Sequence, residues 1–271
     1  MTGPVLIFDS GVGGLSVAAA LRRHYPDAAL CYACDNAWLP YGLRPDAALV
    51  QRIVAVCTAA VGVCRPAVLV VACNTASTLA LAALRAALDI PVVGTVPAIK
   101  PAAAVSRTRH LGLLATSATV RRPYTRRLIE RFAADCKVSC IAADALVTEA
   151  ENWLAGGEPD AARLDAALTP LWQAAGAQAT PEPLDTVVLG CTHFPLLTPR
   201  LAALAPAPLA WVDSGDAVAR RVGQLAAPLA AGRQAPALAT APGPALARAL
   251  AVYGFQPPAP LPLAGGNVAA Y

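Results

Sequence analysis

Short apolar runs alternate along the whole chain with amphipathic segments rich in alanine, leucine and arginine, the pattern of an α/β fold. Runs of β-branched and aliphatic residues predict strands over 5–9, 29–33, 68–72, 92–94, 111–115, 138–142, 186–190 and 209–212. Helical spacing predicts helices over 14–23, 45–63, 75–87, 122–134, 161–174 and 217–230. From Pro257 the chain turns to proline, alanine and glycine, and a tail lying loosely on the surface is expected. A weak repeat relates the halves. Leu6-Ile7-Phe8-Asp9-Ser10, then 30–35, then the run ending at Cys73 correspond to Leu113-Leu114-Ala115-Thr116-Ser117, then 138–142, then the run ending at Cys191. Each half reads as a βαβαβ unit with its strand ends on one rim, where open parallel sheets bind ligands. The expectation is an α/β protein of two pseudo-symmetric lobes, each a mostly parallel sheet flanked by helices, with a small site in the cleft between them.

Composition narrows the class. A chain of 271 residues suits one large domain or two α/β lobes. Charged residues make up only 14% and mean hydropathy is +0.52, values that invite a membrane reading. The stretch 68–88, read as the most apolar, is broken by Asn74, Thr75, Ser77, Thr78 and Arg85, and no uninterrupted run of about 18 apolar residues exists. The first nine residues lack the basic segment and long apolar core of a signal peptide. The eight cysteines sit in too long and too regular a chain for a disulfide scaffold, so reduced thiols in the cytoplasm are expected. A net charge of +4 is too mild to indicate nucleic acid. The one basic concentration, Arg107 to Arg131, leaves Tyr124, Leu128, Ile129 and Phe132 as an apolar face, which reads as one solvated side of a helix.

The candidate chemistry is sulfur. Val68-Leu69-Val70-Val71-Ala72-Cys73-Asn74-Thr75 and Thr186-Val187-Val188-Leu189-Gly190-Cys191-Thr192-His193 are near-copies: a buried strand delivers a thiol into a small polar cluster. Two opposed acid/bases are what a racemase without a cofactor requires. Most cysteines are simply small buried apolar residues, and Cys31, Cys34, Cys57, Cys64, Cys136 and Cys140 take that reading. Cys31-x-x-Cys34 lies in a strand with its side chains on opposite faces and has no second ligand pair, which argues against a metal. Asn74-Thr75 and Thr192-His193 read as helix starts, which lower a thiol pKa below its free value of about 8.5. His193 also stands two residues from Cys191, within reach as a general acid/base. His24 and His110 read as surface residues. Asp9-Ser10-Gly11-Val12-Gly13-Gly14 departs from the dinucleotide pattern, and helix capping is the first reading of Asp9. The loop from Asp35 to Gly42 is either an ordinary Pro/Gly turn or a clamp on a small ligand.

Five stretches in order, Phe8–Gly14, Asp35–Gly42, Ala72–Ser77, Leu189–Leu197 and Val212–Gly215, together resemble the bacterial glutamate racemases, over roughly positions 5 to 215. The resemblance implies proton transfer at Cα of glutamate with no cofactor and no metal. Cys73 and Cys191 are then the two acid/bases, assisted by Asp9 and His193 respectively. Ser10, Asn74, Thr75, Thr192, His193, Asp9 and the Tyr41–Gly42 segment are implied to hold the substrate. The family glutamate that contacts the amino group falls at Thr148 here, so Glu149 is expected to serve, with Glu151 as the alternative. Lobe one is expected over 1–98 plus 210–271 and lobe two over 99–209. The resemblance further implies a cytoplasmic homodimer, without membrane or nucleic-acid partners, that supplies D-glutamate for peptidoglycan. Racemisation of aspartate or another amino acid, a non-catalytic gyrase-binding role and a redox role for the cysteines are the competing readings.

Overall fold

The computed structural model describes residues 3–176, 183–232 and 234–263. The first half of the chain runs β1 (Val5–Asp9), α1 (Leu15–His24), β2 (Leu30–Cys34), α2 (Asp46–Cys64), β3 (Val68–Val71), α3 (Asn74–Ala87) and β4 (Val92–Gly94). The second half follows with α4 (Ile99–Val105), β5 (His110–Ala115), α5 (Ser117–Arg121), α6 (Pro123–Phe132), β6 (Lys137–Ala142), α7 (Ala145–Leu154), α8 (Ala161–Gly176), β7 (Thr186–Leu189), α9 (Thr198–Ala203) and β8 (Ala210–Val212). The chain then returns through α10 (Gly215–Ala226), β9 (Ala237–Ala239), α11 (Pro244–Val252) and β10 (Ala259–Pro260).

Two parallel sheets result. One has the order β10-β9-β2-β1-β3-β4, the other β6-β5-β7-β8. The repeat expected from sequence is visible in that order: β2-β1-β3-β4 and β6-β5-β7-β8 are the same arrangement, so β3 and β7, which lead to Cys73 and Cys191, hold equivalent places. Period-two alternation divides each central strand between two cores. Val5 and Ile7 join the cluster that includes residues of α1, α10 and α11, while Leu6 and Phe8 join the one that includes α2 and α3. In β5, Leu111 and Leu113 pack with α4, and Leu114 packs with α7 and α8. All four residues of β3 and of β7 are buried. Burying such side chains stabilises by about 1.5–3 kcal/mol each, which fixes the strand ends that carry the site.

Several expectations are corrected. The lobe boundary at 209/210 falls too early, because Ala210–Val212 pairs in parallel with β7 and belongs to the second sheet. The stretch after Pro257 is not wholly loose: Ala259–Pro260 pairs with β9 and Leu261 is buried, while residues 264–271 lie outside the described residues. His110 is fully buried, its Nε2 3.0 Å from Ser139 Oγ. Cys136 is only half-buried, at the edge of a core, and Cys140 is exposed. Cys31 is joined to Cys64 in a disulfide, where reduced thiols were expected. Cys31 and Cys34 do lie in opposite cores.

The helix α2 is more apolar than the stretch singled out above. Among the described residues it is the one helix long and apolar enough to cross a membrane, with a mean hydropathy of 1.9 over its best window. Leu49, Ile53, Val56, Cys57 and Ala60 cover the first sheet, and Arg52 on the same face pairs with Asp35.

Candidate active site

Strand ends of both sheets meet at one small cavity. Cys73 stands two residues past β3, and Cys191 two residues past β7. Ser10, Tyr41, Gly42, Asn74, Thr75, Thr192 and His193 share the lining with both cysteines, around a volume of about 30 Å³. A hollow of about 690 Å³ along β4 and α10 is far larger, but its lining holds no cysteine, histidine or carboxylate. Chemistry, rather than size, picks out the small one.

The Cys73 side is built by lobe one. Sγ lies 3.7 Å from Ser10 Oγ, and the thiol is only 7% exposed. Burial, reinforced by the Asp9 carboxylate, pushes this thiol up to about 12. The Ala76 amide in the first turn of α3 and the Ser10 hydroxyl pull the other way and lose. The lowering expected from the helix start is therefore overridden by desolvation. Asp9 itself is fully buried, and burial raises its pKa although His193, the Gly11 amide and Thr192 oppose the shift. It does not cap α1, whose first residue is preceded by Gly14. Its Oδ1 accepts from the Gly11 amide at 3.0 Å, and its Oδ2 from the Thr192 hydroxyl of the other lobe at 3.0 Å.

The Cys191 side is built mostly by lobe two. After Cys191 the chain makes a short 3₁₀ turn over Phe194–Leu197 rather than an α-helix. His193 Nδ1 lies 3.8 Å from Cys191 Sγ, and Nε2 lies 2.8 Å from Glu151 Oε1. Burial works against a charged ring, yet the hydrogen bonds to Cys191 and Glu151 outweigh it and lift His193 well above the usual histidine range. A protonated imidazole donates from both nitrogens, one toward the sulfur and one to the carboxylate.

The glycine loop receives this pair from across the cleft. Glu151 Oε1 also accepts from the Val12 amide at 2.8 Å. A Cβ at Gly11 would sit 2.0 Å from Glu151 Oε1, and one at Gly13 would sit 2.5 Å from His193 Nδ1 and 2.6 Å from Thr192 Oγ1. These glycines leave room for the opposite lobe's acid–base group, and no phosphate role is needed to account for them.

Glu149 is the clear correction. It is buried away from the cavity, with Oε2 accepting from the Asp160 amide at 2.8 Å and Oε1 3.4 Å from Arg163 Nη1. Two helical positions on, Glu151 faces the site instead. Leu39, Pro40, Thr116, Thr119 and Val147 also line the cavity and were not singled out from sequence. Thr116 had a signal: in the repeat it occupies the place of Asp9.

Two thiols delivered to one cavity from equivalent strands of two parallel sheets are the arrangement that an isomerase of the two-base kind requires. The profile of the Asp/Glu/Hydantoin racemase family matches residues 15–222, and the chain belongs to that family. It is 46% identical to the glutamate racemase of Shewanella loihica over 260 residues, 94% of this chain and 95% of the relative. The glutamate racemase of Shewanella halifaxensis is 47% identical over 225 residues, 83% of this chain and 82% of that one. Among solved structures, Escherichia coli glutamate racemase in complex with L-glutamate and the activator UDP-MurNAc-ala superposes with a TM-score of 0.89 at 43% identity, covering 98% of this chain and 100% of that one. The glutamate racemase of Aquifex pyrophilus gives 0.73 at 28% identity, over 95% and 98% of the two chains.

Proposed function

We propose that this protein interconverts L- and D-glutamate by passing the Cα proton through two thiols, Cys73 and Cys191. The observation that carries the reading is the pair of cysteines lining one cavity from two lobes. The substrate follows from the relatives, which are named glutamate racemases at 46–47% identity over most of the chain.

In one direction the Cys73 thiolate removes the Cα proton of D-glutamate, the electron pair moves into the α-carboxylate, and the Cys191 thiol protonates the opposite face. L-Glutamate leaves with Cys73 as thiol and Cys191 as thiolate. The reverse passage restores the starting form. The developing charge needs donors already in place. The Thr75 hydroxyl and the first amides of α3 supply them from the cavity wall, while the single O–H of Thr192, also in that wall, is given to Asp9. Asn74 brings a buried side-chain oxygen with no partner, an acceptor suited to the substrate ammonium. Asp9 serves as the proton acceptor behind Cys73, and His193, held by Glu151, serves Cys191. Carried over from the family, the protein works as a cytoplasmic homodimer and supplies D-glutamate to peptidoglycan.

The test is exchange of the Cα proton with solvent deuterium, followed by NMR for glutamate, aspartate and alanine in turn. Glutamate alone should exchange rapidly. An inert glutamate beside an exchanging aspartate sinks the substrate assignment.

A further inference from the structure

Arg52 sits within α2 on its sheet-facing side, its side chain 8% exposed. No residue of α2 lines the cavity. A guanidinium is withdrawn from water only at a cost, so its partners tell what holds it there. Nε lies 2.9 Å from Asp35 Oδ2 and Nη2 lies 2.7 Å from Oδ1, a two-bond fork on a fully buried carboxylate. Asp35 Oδ2 also accepts from the Tyr41 hydroxyl at 2.8 Å. The same guanidinium lies 5.2 Å from the centre of the Trp38 ring. The guanidinium thus holds Asp35 and lies against Trp38, and Asp35 in turn holds Tyr41 at the far end of the loop 35–41. That loop supplies the wall Leu39, Pro40, Tyr41 and Gly42, and Tyr41 packs in the same cluster as Cys73.

We infer that Arg52 is a positioning residue for substrate binding: through Asp35 it fixes the Tyr41 hydroxyl, and with it the cavity wall on the Cys73 side. It touches neither sulfur nor substrate. Without the guanidinium, Asp35 keeps a buried charge with one donor, and the loop must shift to bring it water or a proton. The wall meets the bound amino acid in ground and transition states alike, so its displacement raises KM and spares kcat. A residue that merely stabilises the fold would reduce the amount of active enzyme and leave KM alone.

The inference rests on the glutamate reading, and the experiment separates the two. The full chain and its R52M, R52K, Y41F and R52M/Y41F variants are assayed with D- and L-glutamate by circular dichroism, alongside thermal melts. R52M should raise KM about tenfold in both directions with kcat within about threefold, and R52K should recover part of the loss. The double variant should show no higher KM than R52M alone, because both changes cut one chain of contacts. An unchanged KM in R52M, or KM effects that multiply in the double variant, overturns the inference. Should R52M fail to fold, the same comparison is made with R52K and R52K/Y41F, under the same criteria. A parent enzyme inert toward glutamate removes the glutamate reading itself, whereas an active parent with an unmoved KM removes only the role of Arg52.

Discussion

The two thiols arrive by the same backbone device and end in opposite surroundings. Cys73 lies in a dry niche beside the Asp9 carboxylate, which favours the neutral thiol. Cys191 lies beside a histidine whose hydrogen bonds to Cys191 and Glu151 raise its pKa, a partner able to donate to sulfur. The repeat therefore supplies the geometry, and the residues around each strand end supply different acid–base support. Enantiomers in water have equal free energy, so the unequal support cannot favour one product at equilibrium. Because kcat/KM must then be equal in the two directions, any asymmetry is confined to kcat and KM taken separately, where the two changes cancel.

The comparison can be broken most severely at the sulfurs. C73S and C191S should each lower racemisation by roughly 10³-fold or more, read by circular dichroism from either enantiomer. If one variant keeps parental turnover in both directions, two-base transfer is wrong. Next comes the junction between the sides. G13A drives a methyl into His193 and Thr192 and should cut kcat about 10²-fold. G62A is its control, since a Cβ there meets nothing within 4 Å, and it should add about 0.5–1 kcal/mol of stability with activity intact.

A smaller effect sharpens the Cys191 side. E151Q should reduce kcat roughly tenfold by withdrawing the charge that supports protonated His193. E149Q should leave the rate near parental and lower the melting temperature, because among the described residues the Glu149 side chain bonds only to Asp160 and Arg163. Equal rate losses in the two variants would refute the assignment of Glu151. The gentlest test uses pH. His193 has a raised pKa in the folded state, so its contribution to stability is complete below its unfolded value of about 6.5 and is lost as pH climbs through the folded value. The melting-temperature gap between parent and H193N should accordingly narrow as pH rises from neutrality. A gap that widens would reverse the sign of the His193 shift.

Much of this was legible from residue order. The β-branched runs gave the strands of both central sheets, and the matching runs before Cys73 and Cys191 marked their equivalent positions. Glu149 and Glu151 were not separable, because two residues span about 200° of a helix and face opposite sides, and no helix over Ala145–Leu154 was read. The strands Ala237–Ala239 and Ala259–Pro260 are too short and alanine-rich to carry a period. His110 looked solvent-facing because a lone polar residue at a strand start carries no sign of what packs over it.

The hollow lined by the two cysteines, about 30 Å³, is small and opens to solvent on one side. The substrate enters through that opening and, once bound, stands between bulk solvent and the thiols. Isotope carried by sulfur is therefore renewed chiefly when the site stands empty between turnovers. In heavy water the newly inverted molecules should bear deuterium from the outset, while the uninverted pool stays protiated until it has been through the chamber.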